Sequence, residues 1–172
     1  KGKVQEGKTK DYIGKGYREQ YMSLIDTASA FAIDAHGTQT RKDGVTPYHE
    51  HLKNVVEKLK EYEITDTETL ASAWLHDVVE DTDVTFDDIR AKFGDRVAGY
   101  VDILTRTGDD DIYINRLKDS DFFVKMIKFC DIMSNLEDLP NSGLDDKDKL
   151  AYHERKEKII MAILPEILEK LD

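Results

Sequence analysis

Three observations predict an all-α fold, a single-domain orthogonal helical bundle. Apolar residues recur at intervals of three and four along almost the whole chain. No segment shows the strict alternation of a half-buried strand, and the breaks between periodic segments carry helix-start and helix-stop residues. The 172 residues are 40% hydrophobic and 35% charged, which suits one domain with a sizeable core rather than a disordered chain. Residues 1–15, charged and without an apolar stripe, are expected to form a flexible amino-terminal segment, and 16–172 the folded domain.

The elements follow in order. Tyr17, Tyr21, Leu24, Ile25, Ala28, Phe31, Ala32 and Ala35 define a long first helix that ends near Gly37. Gly44 and Pro47 punctuate a loop over 39–47, and Leu52, Val55, Val56 and Leu59 form the stripe of a second helix. Thr65 with Glu68 has the capping-box spacing and is expected to start a helix running through His76 to Asp81. Thr85 with Asp88 starts a short helix that Gly94 stops, and Asp95 is expected to cap the segment holding Val97, Tyr100, Val101 and Leu104.

Residues 107–111 form a polar break, with Asp109 to Asp111 expected in a flexible surface loop, before a short helix with Tyr113, Ile114 and Leu117. A longer helix runs from about Ser120 to Leu139, turning Phe122, Phe123, Met126, Ile127, Cys130 and Met133 inward. After the break at 140–143, a last helix from about Asp145 carries Ile159, Ile160, Ile163, Leu164, Ile167 and Leu168, with Pro165 as an expected kink.

Charge narrows the partners. A net charge of −11 argues against a protein that tracks a phosphate backbone, so long nucleic acid is not expected. A small anionic nucleotide remains compatible, because a metal ion and a few local Arg or Lys side chains can invert the field inside a cleft. Cys130, the one cysteine, sits in an apolar run and reads as a packed thiol in a reducing compartment. With no secretion signal and no stretch of about 18 apolar residues, the expected location is cytoplasmic and away from membranes, and a homo-oligomer is compatible with the sequence.

The stretch Leu75-His76-Asp77-Val78-Val79-Glu80-Asp81 places one imidazole and three carboxylates in an otherwise apolar segment. Burying an ionised carboxylate costs several kcal/mol unless a cation or a donor compensates it, so the cluster reads as part of a metal site. Two adjacent side chains cannot complete a coordination sphere, and the other candidates are His51, at the start of the second helix, and Asp131, the one carboxylate inside 126–133. The competing readings are a buried His bonded to Asp for the first pair and helix amides around Asp131 for the second. Two imidazoles and two carboxylates suit Mn²⁺, with Fe²⁺ and Zn²⁺ as alternatives.

Four ordered blocks carry a family resemblance: Ala35-His36-Gly37-Thr38-Gln39-Thr40-Arg41-Lys42-Asp43-Gly44, Pro47-Tyr48-His49-Glu50-His51, 74–82 and 127–139. Through them the chain resembles the HD-domain metal-dependent phosphohydrolases, and within these the RelA/SpoT-type alarmone hydrolase domain in its small stand-alone form. The resemblance implies an HD-type helical bundle with His51, His76, Asp77 and Asp131 as metal ligands. It further implies Glu80 and Asp81 as catalytic carboxylates, and Arg41, Lys42 and Asn135 as substrate contacts.

The run Lys128-Phe129-Cys130-Asp131-Ile132-Met133-Ser134-Asn135 keeps the ligand and the Asn. It has Ile132 and Ser134 where the alarmone group usually carries Arg and His.

The chemistry stands beside the resemblance. A divalent cation acidifies bound water and withdraws charge from a phosphoryl group. Glu80 could orient that water or take its proton, and Asp81 could position it or assist the leaving group. Arg41 could grip phosphate with two parallel bonds and Lys42 as a point charge. The expected function is hydrolysis of the 3′-diphosphate of guanosine tetra- or pentaphosphate. The alternatives are a phosphatase for another nucleotide (a mononucleotide, a deoxynucleoside triphosphate or a dinucleotide cofactor) and a non-catalytic nucleotide sensor. His36 is expected to pack near the site and His49 and His153 to face solvent; Arg106 and Tyr113 could approach substrate from the central break, and a helix-terminal Arg and a core-rim Tyr explain them equally well.

Overall fold

The computed structural model describes residues 24–172, in which the chain forms α-helices joined by short connections. Helix α1 covers residues 24–36, followed by α2 (Tyr48–Glu61), α3 (Thr67–Leu75), α4 (Val78–Asp81) and α5 (Phe86–Phe93). Then come α6 (Asp95–Leu104), α7 (Asp110–Lys118), α8 (Phe122–Asp138), a 3-10 turn at Leu139–Asn141, and α9 (Asp146–Leu171). Among the described residues there is no strand, only an isolated bridge between Thr40 and Pro47, so the all-α expectation holds. The expected flexible segment 1–15 and the amino-terminal part of the first helix, with Tyr17 and Tyr21, lie outside the described residues.

Helix α8 is the axis of the bundle, packing against α2, α3, α6, α7 and α9. Its sequence explains this position: Val124, Met126, Ile127, Cys130 and Ile132 are fully buried and together leave no wide polar stripe. Leu52, Val55 and Leu59 of α2 and Ile163 of α9 are also fully buried. Each such side chain contributes about 1.5–3 kcal/mol relative to exposure. Among the described residues no helix is long and apolar enough to cross a membrane.

Helix boundaries differ from expectation at four places. Asp66 rather than Thr65 caps α3: its carboxylate accepts from the Thr69 N–H at 3.0 Å and from Arg96 Nη1 at 2.9 Å, tying the cap to α6. Gly94 ends α5 and begins α6 in one residue, at φ +90°, a left-handed conformation natural for glycine, so Asp95 is the first helical residue of α6 instead of its cap. Asp109 is no loop residue but the cap of α7, accepting from the Asp111 N–H at 2.7 Å. Asp110 and Asp111 then fall in the first turn, where the helix dipole favours negative charge.

Helix α9 runs through Pro165 as one element. The Met161 carbonyl that Pro165 leaves without its N–H belongs to a residue 67% exposed, where water can replace the lost donor. The fourth difference, between α3 and α4, builds the site.

Candidate metal centre

The expected helix through His76 and Asp77 is broken there: α3 stops at Leu75 and α4 resumes at Val78. His76 Nδ1 donates to the Ala73 carbonyl at 2.7 Å, the carbonyl an uninterrupted helix would offer to the Asp77 N–H. Asp77 takes φ −104° and ψ −3°, the bridge region where many active-site residues sit. The break turns Asp77 beside His76, with Oδ2 3.0 Å from His76 Nε2.

Two other elements bring the remaining side chains to the same point. His51 lies in the first turn of α2 and Asp131 midway along α8, both buried. Asp131 Oδ1 is 3.0 Å from His51 Nε2 and 3.4 Å from His76 Nε2, and His51 Nε2 is 3.8 Å from Asp77 Oδ2. One ligand atom from each of His51, His76, Asp77 and Asp131 lies within 4.8 Å of all the others.

This arrangement fits a divalent cation on a test independent of any resemblance. The Nε2 atoms of His51 and His76 are buried and make no hydrogen bond, despite their short approach to carboxylate oxygens. A carbonyl can only accept, so His76 Nδ1 carries the proton, and in the neutral ring the Nε2 lone pair points among anionic oxygens. Lone pairs converging on carboxylates repel unless a cation stands between them. A proton can serve one pair, whereas a divalent ion serves all four donors. With a proton as the only cation, burial disfavours His76 imidazolium, but Asp77 and Asp131 outweigh it and raise the group well above its ordinary value. Burial lowers His51.

Partners outside the cluster hold each donor. His51 Nδ1 lies 2.9 Å from Ser134 Oγ, which also accepts from Asn54 Nδ2 at 3.0 Å. Asp131 Oδ2 accepts from Lys128 Nζ at 2.7 Å and Oδ1 from Asn135 Nδ2 at 2.8 Å, from one turn before and one after on the same helix. Burial opposes its ionisation, yet Lys128 and the two imidazoles hold its carboxyl well below the usual range. The donors to Asp131 are thus side chains of α8 itself rather than helix amides.

Glu80 and Asp81, on α4, line the adjoining cleft with Asp77 and Asp131. Burial raises the Glu80 carboxyl, and its Oε2 accepts from the Arg106 N–H at 3.2 Å. Asp81 accepts from Gln39 Nε2 at 3.2 Å. Of the expected substrate contacts, Lys42 and Asn135 line the same cleft, while Arg41 donates to Asn135 at 2.6 Å and to Asp138 at 3.0 Å and lines a neighbouring hollow.

The cleft holds about 270 Å³ and adds residues that sequence reasoning did not assign: Lys128, Tyr152, Arg155, Lys156 and Lys158. It also includes Arg106 and Tyr113, so both residues that sequence leaves open between substrate contact and a structural role reach the cleft; Tyr113 also bonds the Leu104 carbonyl at 3.0 Å, and Arg106 pairs with Asp110. Six basic side chains (Lys42, Arg106, Lys128, Arg155, Lys156, Lys158) face five carboxylates (Asp77, Glu80, Asp81, Asp110, Asp131). That local balance opposes the −11 of the whole chain and suits an anion. A usable signal existed: Lys156 and Tyr152, both half-buried, continue the Ile159 and Ile163 stripe by one and two turns toward the amino terminus, so they face the bundle.

A profile of the HD domain matches residues 28–121. The chain belongs to the HD-domain family. Curated relatives include a guanosine-3′,5′-bis(diphosphate) 3′-pyrophosphohydrolase of Aquifex aeolicus, 45% identical over 52% of this chain and 12% of that protein. The enzyme of that description named MESH1 is 40% identical in Drosophila melanogaster, over 63% of this chain and 65% of the relative. The Danio rerio MESH1 is 36% identical over 67% and 68%. The chain thus spans about an eighth of the Aquifex protein and about two thirds of the MESH1 proteins.

A solved structure described as a metazoan ortholog of SpoT that hydrolyses ppGpp superposes with a TM-score of 0.76 at 32% identity, covering 81% of this chain and 85% of its own. The HD-domain match ends before α8 and α9, so Asp131 and the basic face of α9 join the site through the fold rather than through the matched span.

Proposed function

We propose that this HD-domain protein is a divalent-metal-dependent phosphohydrolase that removes the 3′-diphosphate from guanosine 3′,5′-bis(diphosphate) and its pentaphosphate counterpart, with Mn²⁺ as the preferred ion. One observation carries the reading: His51, His76, Asp77 and Asp131 converge within 4.8 Å, with both imidazole Nε2 atoms unbonded, beside a cleft that brings six basic side chains together. The activities named for the relatives support the choice of substrate.

In this reading His51, His76, Asp77 and Asp131 hold the metal, which when bound acidifies water and draws charge from the phosphoryl group. Glu80 takes the proton from the attacking water; its burial-raised carboxyl makes it a better base than an exposed glutamate. Asp81 keeps that water in line with the phosphorus. The water oxygen bonds to the phosphorus as the P–O bond to the ribose 3′ oxygen breaks, and that oxygen takes up the proton the water gave to Glu80. The products are pyrophosphate together with guanosine diphosphate from the tetraphosphate or guanosine triphosphate from the pentaphosphate. Lys42, Asn135 and Lys156 hold substrate phosphates as charges and donors, and Arg41 sets the position of Asn135.

A second reading, the same chemistry on another nucleotide, draws on one departure. Ile132 is fully buried and Ser134 bonds His51, where the alarmone group carries Arg and His. Metal-stripped protein given Mn²⁺ and assayed for pyrophosphate release separates the two. Release from guanosine tetraphosphate, with none of comparable rate from 5′-nucleotides lacking a 3′ phosphate, is the expected result. Faster phosphate release from a nucleotide with an unmodified 3′ hydroxyl would reject the alarmone assignment.

A further inference from the structure

We propose that Tyr48 is a positioning residue that aims Asp77 into the metal cluster, and that His36 and Gln39 brace this arrangement against Asp81. The inference rests on reading the four clustered side chains as a metal site. The Tyr48 hydroxyl donates to Asp77 Oδ2 at 2.6 Å, and that oxygen is the one lying 3.0 Å from His76 Nε2 and 3.8 Å from His51 Nε2. A carboxylate oxygen offers two lone-pair directions. With the phenol on one of them, the other is directed to the cluster.

Asp77 needs such a partner more than Asp131 does. Asp131 is fixed by Lys128 and Asn135 from its own helix, whereas Asp77 sits at a helix break and takes its donor from α2. Tyr48 is itself held on several sides. It opens α2 one turn before His51, and its N–H donates to the Gln39 carbonyl at 2.9 Å. Its ring stacks on His36 with centroids 4.6 Å apart and planes 26° from parallel, and meets His51 edge-on at 5.7 Å.

The brace continues to the other carboxylate. The Gln39 side-chain oxygen only accepts, so His36 Nδ1 donates to it at 2.9 Å, and Gln39 Nε2 then donates to Asp81 Oδ2 at 3.2 Å. Movement of Asp77 relative to Asp81 is thereby opposed by one chain of contacts through Tyr48, His36 and Gln39. Partners of metal ligands typically govern affinity by about 10–100-fold.

The test is Mn²⁺ affinity measured by competition with a chelator, without substrate. Tyr48→Phe keeps the ring and its stack and removes only the donor, so a weakening of about 10–100-fold with an unchanged circular dichroism spectrum is expected. Gln39→Leu is expected to keep the parent's metal affinity and lower kcat with little change in KM. Should Tyr48→Phe fold poorly, His36→Leu, which removes the stack, provides the second variant and should show a smaller loss of affinity. Parent-like affinity in the folded Tyr48 variant, or in His36→Leu where it stands in, overturns the assignment while leaving the metal site intact. A parent protein that takes up no Mn²⁺ overturns the metal reading and this inference with it.

Discussion

On one wall of the cleft, formed by α2, the α3–α4 break and α8, nearly every charge already has its counterpart: Asp131 with Lys128 and Asn135, Asp77 with Tyr48, His76 with the Ala73 carbonyl. On the wall formed by the loop after α1 and by α9, like charges gather. Lys42 Nζ and Lys156 Nζ lie 4.6 and 5.0 Å from the centroid of the same Tyr152 ring. Burial, with Arg41 and Arg155 nearby, lowers the Lys42 ammonium. Burial and Lys128 bring Lys156 down to about 8, against the opposing pull of Asp131 and Asp77. The first wall holds its donors in place through their own partners, while the second is under mutual repulsion that an anion relieves.

The largest expected effect distinguishes chemistry from scaffolding on the first wall. Glu80→Gln should retain Mn²⁺ binding and lower kcat by about 10²–10⁴-fold, the usual contribution of a general base. Loss of metal in this variant, measured by the same chelator competition, would move Glu80 from proton transfer into the metal's own shell.

The second wall should respond in binding instead. Lys156→Met is expected to raise KM by about tenfold or more with a smaller change in kcat, the loss of one charged hydrogen bond to a phosphate. Because Lys156 titrates near 8, it is cationic below that pH and loses charge above it. KM in the parent should therefore rise as pH passes upward through about 8, and that rise should flatten in Lys156→Met. A pH profile of KM unchanged by the substitution would remove Lys156 from the anion site.

The smallest effect marks a region outside both walls. Asp66→Ala removes the α3 cap and its pairing with Arg96, at a cost of about 1 kcal/mol and a Tm lower by a few degrees. Kinetic constants should stay at parental values. A change in KM or kcat would mean that the position of His76 depends on the far end of α3.

The two walls also differ in how legible they were. His51, His76, Asp77 and Asp131 stood out because an ionisable group inside an apolar stripe needs a reason, and the structure brings all four together. Helical periodicity announced the bundle for the same reason, since burial forces the pattern. The helix break at His76 was not legible: it depends on an imidazole bonding the Ala73 carbonyl, which residue spacing does not encode. The caps at Asp66 and Asp109 were missed among neighbouring Thr and Asp residues of similar capping ability. Lys156 lies among His153, Glu154, Arg155 and Glu157, a composition that reads as an ordinary solvated face, so its place in the cleft shows only in its helical spacing from Ile159 and Ile163.

Mn²⁺ titration of metal-stripped protein, with Asp131→Ala as the paired variant, addresses the central claim most directly. One saturable site per chain in the parent, lost in a variant that keeps its helical circular dichroism, is the predicted result. Equal uptake by both proteins, or no saturable site in the parent, would contradict the convergence of His51, His76, Asp77 and Asp131 on a shared ion.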